Sequence, residues 1–289
     1  MEAKKQIRLI NCSFGRNKTV VYTAGERGGI LRNIICFVVM LVVVSCISTD
    51  AAFETSSVPI RNQALAYSAS ELFSGETKQV PTSYISASRM YLLALEIERV
   101  NISARYCTDS FSIGLLGDYF GTKDIAPNID YAEYIKALNA IYQLKSMVKF
   151  GIQLNNYQLA SVYTGSGFSI DVGLQTRVLP KLNLTVELKD LSNKFYYSTG
   201  KVEKKPLQTV FFAEYDFKIN NTIYLAVSDG TIAIGNEFCP VTGFAVRLGI
   251  NDGYWSGGVG IDNNQWRFEY ALYSSLLGNQ QSMSIQRRF

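Results

Sequence analysis

The sequence predicts an all-β fold: an antiparallel transmembrane β-barrel of about 14 strands, preceded by an N-terminal signal segment. Three observations carry that expectation. Hydrophobicity alternates with a period of two over long stretches, most cleanly in GFSIDVGLQTRVLPKLNLTVELKD, residues 167–190. Turn signals separate the alternating stretches, at Asn220-Asn221, Asp229-Gly230, Asn251-Asp252-Gly253 and Asp262-Asn263-Asn264. A short apolar run behind a basic leader marks the chain for export.

In the opening stretch Phe168, Ile170, Val172, Leu174 and Val178 share one face, and Ser169, Asp171, Gln175 and Arg177 the other. Beyond Leu179-Pro180 the pattern resumes, with Leu182, Leu184, Val186 and Leu188 against Asn183, Thr185, Glu187 and Lys189. This is a hairpin with one apolar and one charged face.

The leader comes first in chain order. The formal charge of +4 comes from it, where seven Lys and Arg face two Glu before residue 33, so the remainder is near neutral. That balance excludes the basic stripe of a nucleic-acid binder. With 47% hydrophobic and 18% charged residues the chain is not disordered. Ile34 to Val44, IICFVVMLVVV, is shorter than the roughly 20 residues of a spanning helix and near signal-peptide length. Three readings stand: cleavage between Ala51 and Ala52, a lipobox ending at Cys46, or an uncleaved inner-membrane anchor over residues 34–47. The first two deliver an outer-membrane protein of a Gram-negative-type bacterium. The third makes an exported, anchored β-domain acting as a structural or interaction module.

The expected organisation is a leader at 1–51, a short segment at 52–80 with the lumen as its candidate place, and the barrel at 81–289. Residues 52–80 are polar, mildly helical and rich in small side chains. Candidate strands follow at 82–88, 90–98, 100–108, 130–143, 146–158, 166–178, 181–190, 206–218, 221–228, 230–239, 242–250, 253–261, 264–274 and 281–289. Strands of roughly 9–11 residues are what a tilted bilayer crossing needs. DYAEYIKALNAIYQL fits helical spacing through Tyr131, Tyr134, Ile135, Leu138 and Tyr142, but also alternates through Tyr134, Leu138, Ala140, Tyr142 and Leu144. It is read as a strand because single-chain bacterial barrels use even strand numbers.

Later strands repeat the pattern, with Phe211, Ala213, Tyr215 and Phe217 opposing Glu214 and Asp216, and Trp266, Phe268, Tyr270 and Leu272 opposing Arg267 and Glu269. Phe244, Val246, Leu248 and Ile250 likewise oppose Arg247. A soluble sandwich also alternates. Aromatics near strand ends and the terminal Phe289 favour the membrane, so the apolar faces are read as touching lipid. The lumen-facing candidates are then Asp171, Arg177, Glu187, Lys189, Glu214, Asp216, Arg247, Arg267 and Glu269.

The sequence has no His, which removes a Ser-His-Asp triad, a Cys-His dyad and a His-ligated zinc. GSGFSI at 165–170 and GGVGIDN at 257–263 sit on alternating strands rather than before helices, so neither reads as a dinucleotide loop. The glycines at 257–260 read instead as positions that leave lumen space. Cys107 and Cys239, 132 residues apart, fit half-buried thiols better than a bridge. No enzyme activity, metal or cofactor is expected.

Residues 85–289 resemble the PorV/PorQ family of outer-membrane barrels, relatives of the fatty-acid transporter FadL. The resemblance lies in SGFSIDVGLQTRVLPKLNLTVELKDLSNKF and in the closing order GFAVRLGIND, GGVGID, WRFEYALYSSLLGNQQSMSIQRRF. It implies a barrel of about 14 strands and either passage or binding of hydrophobic solutes or an accessory role in type IX-like protein secretion. The expected partners are membrane lipid, hydrophobic small molecules or secretion proteins. The family's Asn-Pro-Ala-Gly element is at most echoed in NQALAYSASELFSGETKQV.

The face assignment has a direct test. Arg on a lipid face near mid-strand costs roughly 2–4 kcal/mol, whereas lumen substitutions mainly tune selectivity. Val172→Arg is expected to lower the heat-modifiable, assembled form several-fold, and Gln175→Arg to leave it near wild type. Because a soluble core would also reject Arg at 172, Leu174→Trp supplies the discriminating readout. Its indole should be tolerated and quenched by brominated lipid; a destabilised, unquenched variant places that face inside protein.

Overall fold

The computed structural model describes residues 60–65, 72–73, 82–92, 97–126, 129–144, 147–218, 220–275 and 278–289. The leader expectations, cleavage at Ala51–Ala52, lipidation at Cys46 and the anchor over 34–47, lie outside the described residues.

A short helix, α1 (Ile60–Ala64), precedes the strands β1 (Tyr84–Leu92), β2 (Ile97–Cys107), β3 (Phe111–Ala126), β4 (Ile129–Leu144), β5 (Val148–Ala160), β6 (Gly165–Leu179) and β7 (Leu182–Tyr197). A two-residue β8 (Val202–Glu203) is followed by β9 (Gln208–Lys218), β10 (Asn221–Ser228), β11 (Thr231–Val241), β12 (Phe244–Asn251), β13 (Tyr254–Asp262), β14 (Trp266–Ser275) and β15 (Gly278–Arg288). Every pairing is antiparallel between sequence neighbours, except that β9 pairs with β7 and β1 closes on β15 from Tyr84↔Arg288 to Leu92↔Gln280. With β8 a flap on β7, the wall is a closed barrel of 14 strands.

The pleat sorts side chains as the alternation requires. Tyr142, Phe150, Ile152, Leu154, Phe168 and Leu174 are exposed on the outside, while Ser169, Thr185, Glu187 and Arg247 are buried within. A soluble sandwich has the opposite distribution. Closure leaves no long edge, which hydrocarbon demands because nothing there can satisfy a bare N–H or C=O.

Tight turns follow the chemistry in the sequence. Asp229-Gly230 and Asp252-Gly253 take positive φ at both positions, 44° and 81°, then 47° and 82°, as two-residue hairpins of this twist need.

The strand count agrees with expectation, but the partition does not. The stretches expected as three strands, 82–88, 90–98 and 100–108, are two, β1 and β2. The polar run Glu98, Arg99 and Asn101 suggests a break, yet Arg99 and Asn101 point inward on a continuous strand and hydrogen-bond to Asp118. The missing strand is β3, where Gly114, Gly117, Gly121 and Asp118 disguise the alternation of Phe111, Ile113 and Leu115 with Ser112 and Leu116. DYAEYIKALNAIYQL is strand β4 throughout. β7 runs to Tyr197, seven residues past its expected end, across an irregularity at Asp190, where φ is 59° and Ile170↔Ser192 gives way to Val172↔Leu188.

Strand length is uneven. β3 to β7 have 13–16 residues, whereas β10, β12 and β13 have 8 or 9. Roughly 9–11 tilted residues cross a bilayer, so the β3–β7 wall projects beyond the rest. It does so at the end away from Phe289, because β9 leaves β7 at Gln208↔Lys189 while β7 continues. The longest connection, 198–207, is at this far end, and the connections at the end carrying Phe289 span two or three residues.

Two glycines of β3 provide an internal comparison. A Cβ on Gly121 would sit 2.7 Å from the Tyr131 carbonyl oxygen, while one on Gly117 meets nothing within 4 Å. Gly121→Val should therefore lose roughly 1–3 kcal/mol through overpacking and lower the temperature at which the folded gel form converts. Gly117→Val should be neutral or better; equal losses at both sites would contradict the packing described.

Candidate functional site

Inside the barrel, buried charges from both the wall and the N-terminal segment meet in one network. Arg61 of α1 donates from Nε to Glu237 Oε2 (3.0 Å) and from Nη2 to Glu237 Oε1 (2.9 Å) and Tyr224 Oη (2.5 Å). Arg247 donates from Nε to Glu237 Oε2 (2.6 Å) and pairs through Nη2 with Glu269 Oε1 (3.2 Å), which Arg267 also reaches at 3.1 Å. Arg247 is 1% exposed, so these partners replace water rather than supplement it. Strand alternation places these side chains on the inner face of β10, β11, β12 and β14. Gly260 on β13 leaves room for the guanidinium, since a Cβ there would lie 3.0 Å from both Arg247 terminal nitrogens.

The N-terminal segment is held by more than charge. Ala64 packs on Ala271, Leu65 on Tyr224, and Ser256 Oγ donates to the Ala64 carbonyl at 3.0 Å. Gly258 is required here, because its Cβ would come within 2.6 Å of Ala64 Cβ and 2.5 Å of a Tyr270 carbonyl. Leu72 and Phe73 lie against the β4–β6 wall, packed on Ile141 and over Gly151 and Gly173. The Leu72 N–H donates to Glu187 Oε1 (3.2 Å), and Arg105 Nη2 donates to the Leu72 carbonyl (3.4 Å). The segment thus touches both walls of the lumen.

Further charges sit along the same inner surface. Arg99 makes a buried bidentate pair with Asp118, 3.0 and 2.9 Å from Nε. Asp171 accepts from Asn155 Nδ2 (2.7 Å) and from the Asp190 N–H (2.8 Å), which fixes the β7 irregularity. Toward the far end an apolar cluster adjoins these charges: Ile135, Tyr157 and Phe195 pack with Leu159 and Tyr197 beside buried Asp118 and Glu133, and the Lys205 ammonium lies 5.1 Å from the Tyr157 ring and 5.5 Å from Phe195.

Of the residues singled out from sequence, Arg247, Arg267 and Glu269 come together in the network, and Glu187 anchors the N-terminal segment. Asp171 belongs to the β5–β7 polar ladder, and Asp216 accepts from Thr222 Oγ1 at 2.9 Å. Glu214 and Lys189 are half-buried on β9 and β7. Arg177 is exposed near the Phe289 end, 3.4 Å from Asn183 Oδ1. Sequence reasoning missed Glu237, Tyr224, Arg99, Arg105 and Asp118. Tyr224 and Arg105 alternate with outward apolar residues and were legible by parity, whereas Arg99, Asp118 and Glu237 each have a polar or glycine neighbour on the outward face, Glu98, Gly117 and Asn236. Arg61 had no such signal, because its segment lacks periodicity. Cys107 and Cys239, on β2 and β11, are half-buried thiols that no disulfide joins. Among the described residues no group of three or more His, Cys, Asp or Glu could hold a metal ion.

No family model matches the chain, and no curated protein does so either. Among solved structures it is similar to a Pseudomonas aeruginosa FadL homologue, with 8% identity over 83% of this chain and 99% of that one and a TM-score of 0.60. It is also similar to the P. putida toluene transporter TodX, with 9% identity, 73% and 91% coverage and a TM-score of 0.52. At these identities the likeness establishes the fold: a closed antiparallel β-barrel of the kind FadL-like proteins have.

The network yields a pairwise test. Replacing one member of a buried pair leaves an uncompensated charge, which costs about 3–5 kcal/mol. Arg247→Met is expected to cost that much, measured by urea titration of the folded gel form. Arg247→Met combined with Glu269→Gln should cost less than the sum of the two single losses, because each single change already removes the Arg247–Glu269 contact. Strict additivity of the two losses would show that Arg247 and Glu269 do not interact.

Proposed function

We propose that this chain is a non-enzymatic outer-membrane barrel that passes hydrophobic small molecules. The observation that carries the reading is an interior closed by the chain's own N-terminal segment. Arg61, Ala64, Leu65, Leu72 and Phe73 occupy the lumen against both walls, so the bore is unsuited to free passage of water and ions. An apolar cluster of Ile135, Tyr157 and Phe195 lines the far end, where a solute with poor water solubility would gain by leaving water. The fold likeness to the toluene transporter TodX and to a FadL homologue supports this choice of solute class. Placement in the outer membrane, with lipid against the exposed apolar face, follows on the same reading from the closed barrel and its outward aromatics. The secretion-accessory role rests on the PorV/PorQ sequence resemblance alone. The lumen-facing charges are proposed to position the segment rather than to select ions.

Two measurements on the purified full chain test the proposal. Planar bilayers should show little steady conductance, while proteoliposomes should take up toluene faster than protein-free vesicles. Arg61→Ala, which releases one tether of the segment, should raise conductance several-fold. Large, steady wild-type conductance with no acceleration of toluene uptake would instead identify an open aqueous pore.

A further inference from the structure

Charge is disfavoured on the lipid face of a barrel and tolerated only toward the interfaces. An outward lysine without a protein partner therefore marks the depth at which something other than hydrocarbon meets the wall. Lys136 on β4 and Lys194 on β7 are two such residues. Both are exposed on the outward parity, and among the described residues neither ammonium meets a carboxylate.

The register ties them to one band. Gly117, Lys136, Asn156, Phe168 and Lys194 follow one another across β3 to β7 as direct partners. On one side the same strands present Leu138, Leu154 and Ile170, the apolar surface. On the other they present Tyr119, Tyr134, Gln158, Ser166 and Tyr196, an amphipathic girdle. The lysines thus sit where hydrocarbon gives way to headgroups, at the end away from Phe289. Gly117, with nothing within 4 Å of its Cβ position, leaves a notch beside Lys136.

A third cation joins them. β8 pairs with β7 at Phe195↔Glu203 and Tyr196↔Val202, and continuing that register by one residue sets exposed Lys204 opposite Lys194. Like charges directly opposite on a sheet repel, and Lys201, the neighbouring cation, is already paired with Glu203. Exposed Tyr196, Val202 and Leu207 flank the pair. The described outward carboxylate of β4 is Asp130, at the far tip, roughly 20 Å along the strand from Lys136 at about 3.4 Å per residue.

We infer that the outer surface of β4–β8 docks phosphate-bearing headgroups of anionic lipid in the far leaflet, with Lys136, Lys194 and Lys204 as the phosphate contacts. The depth selects lipid over a protein partner, because hydrophobic surface begins one residue pair away. Lys136 and Lys194 are three strands apart, about 14 Å at the usual strand spacing, so they fit two phosphates rather than one. Asn156, between them, donates one amide hydrogen to the Gly167 carbonyl at 3.4 Å and offers the second to a sugar or phosphate oxygen. The inference rests on the outer-membrane placement proposed above.

The test uses the folded full chain in detergent micelles, titrated with lipid A, a doubly phosphorylated disaccharide lipid, and read by native mass spectrometry. Lys136→Gln/Lys194→Gln/Lys204→Gln should weaken lipid A binding at least ten-fold. The corresponding triple Arg variant should bind as wild type does, and Arg287→Gln, outward at the opposite end, should stay within two-fold. Millimolar inorganic phosphate should not displace the lipid, and phosphatidylethanolamine should bind less tightly. Equal binding by the triple Gln variant, equal loss in Arg287→Gln, or displacement by free phosphate would each overturn the inference. Heat-modifiability and insertion into vesicles are checked first. A chain that folds and inserts but ignores the three lysines sinks this inference alone, whereas a chain that inserts into no bilayer sinks the outer-membrane placement and this inference with it.

Discussion

Backbone satisfaction is the constraint from which the rest of this architecture follows. In hydrocarbon an unpaired N–H or C=O costs several kcal/mol, so the sheet must close. Closure here is the seam between β1 and β15, nine residue pairs from Tyr84↔Arg288 to Leu92↔Gln280, with the Phe289 N–H continuing to the Ser83 carbonyl. Where β7 outruns β9 the ring is interrupted, and a side chain substitutes for the missing strand. Asn193 donates through Nδ2 to the Lys205 carbonyl and accepts the Lys205 N–H at Oδ1, a short mimic of a ladder. The two-residue β8 then covers Phe195 and Tyr196.

A closed pleated wall puts every second residue inside, whatever its chemistry, and this makes the lumen an electrostatic problem. Arg247, Glu187 and Ser169 are each about as buried as a core leucine. Buried ion pairs add little net stability over an apolar core, but they specify arrangement, since a wrong partner leaves a charge orphaned. Glu237 shows the logic. It accepts from a wall cation, Arg247, and from a segment cation, Arg61. Glycines complete the fit at Gly151, Gly173, Gly258 and Gly260, where a Cβ would collide with Leu72, Phe73, Ala64 or Arg247. On the proposed reading, the same interactions that position the segment are those a passing solute would disturb.

How much of this was legible in the sequence depended on whether a segment obeyed one period. The hairpin of β6 and β7 was readable because its outward residues from Phe168 to Leu188 are almost all apolar and its inward ones nearly all polar. β3 was not, because glycines at 114 and 121 answer to collisions with β4, at Asn139 and the Tyr131 carbonyl, that only the pairing reveals, and Gly117 interrupts the outward apolar series. β4 could be read as helix, since Tyr134, Leu138 and Tyr142 recur every four residues, a spacing both a helix face and every second strand pair accommodate. Asp190 ended the expected β7 early because its positive φ and its bond to Asp171 break the alternation without ending the strand. In the interior, parity was enough to nominate Arg247, Arg267 and Glu269 but not their partner Arg61, which comes from a stretch with no repeating pattern. Periodicity reports which way a wall residue points. It carries no information on what fills the space it points into.

The interior is also graded along its axis, and on the proposed reading the gradient has a consequence for passage. At the far end, inside the tall β3–β7 wall, Ile135, Tyr157, Phe195 and Tyr197 form an apolar patch beside the Arg99–Asp118 pair. Deeper, between β10 and β14, the surface is the Arg61–Glu237–Arg247–Glu269 network. An apolar solute gains by entering the first region and gains nothing from the second, where displacing a paired charge leaves its partner buried and alone. Transfer past that level is therefore unfavourable while the segment stays in place, and becomes possible only if Arg61, Leu65, Leu72 and Phe73 move together, keeping their charges paired or hydrated. Wall stability resides in the ladders and not in those contacts. Motion of the segment therefore need not open the barrel, and a closed wall around a displaceable filling can hold a membrane seal and still let a solute through.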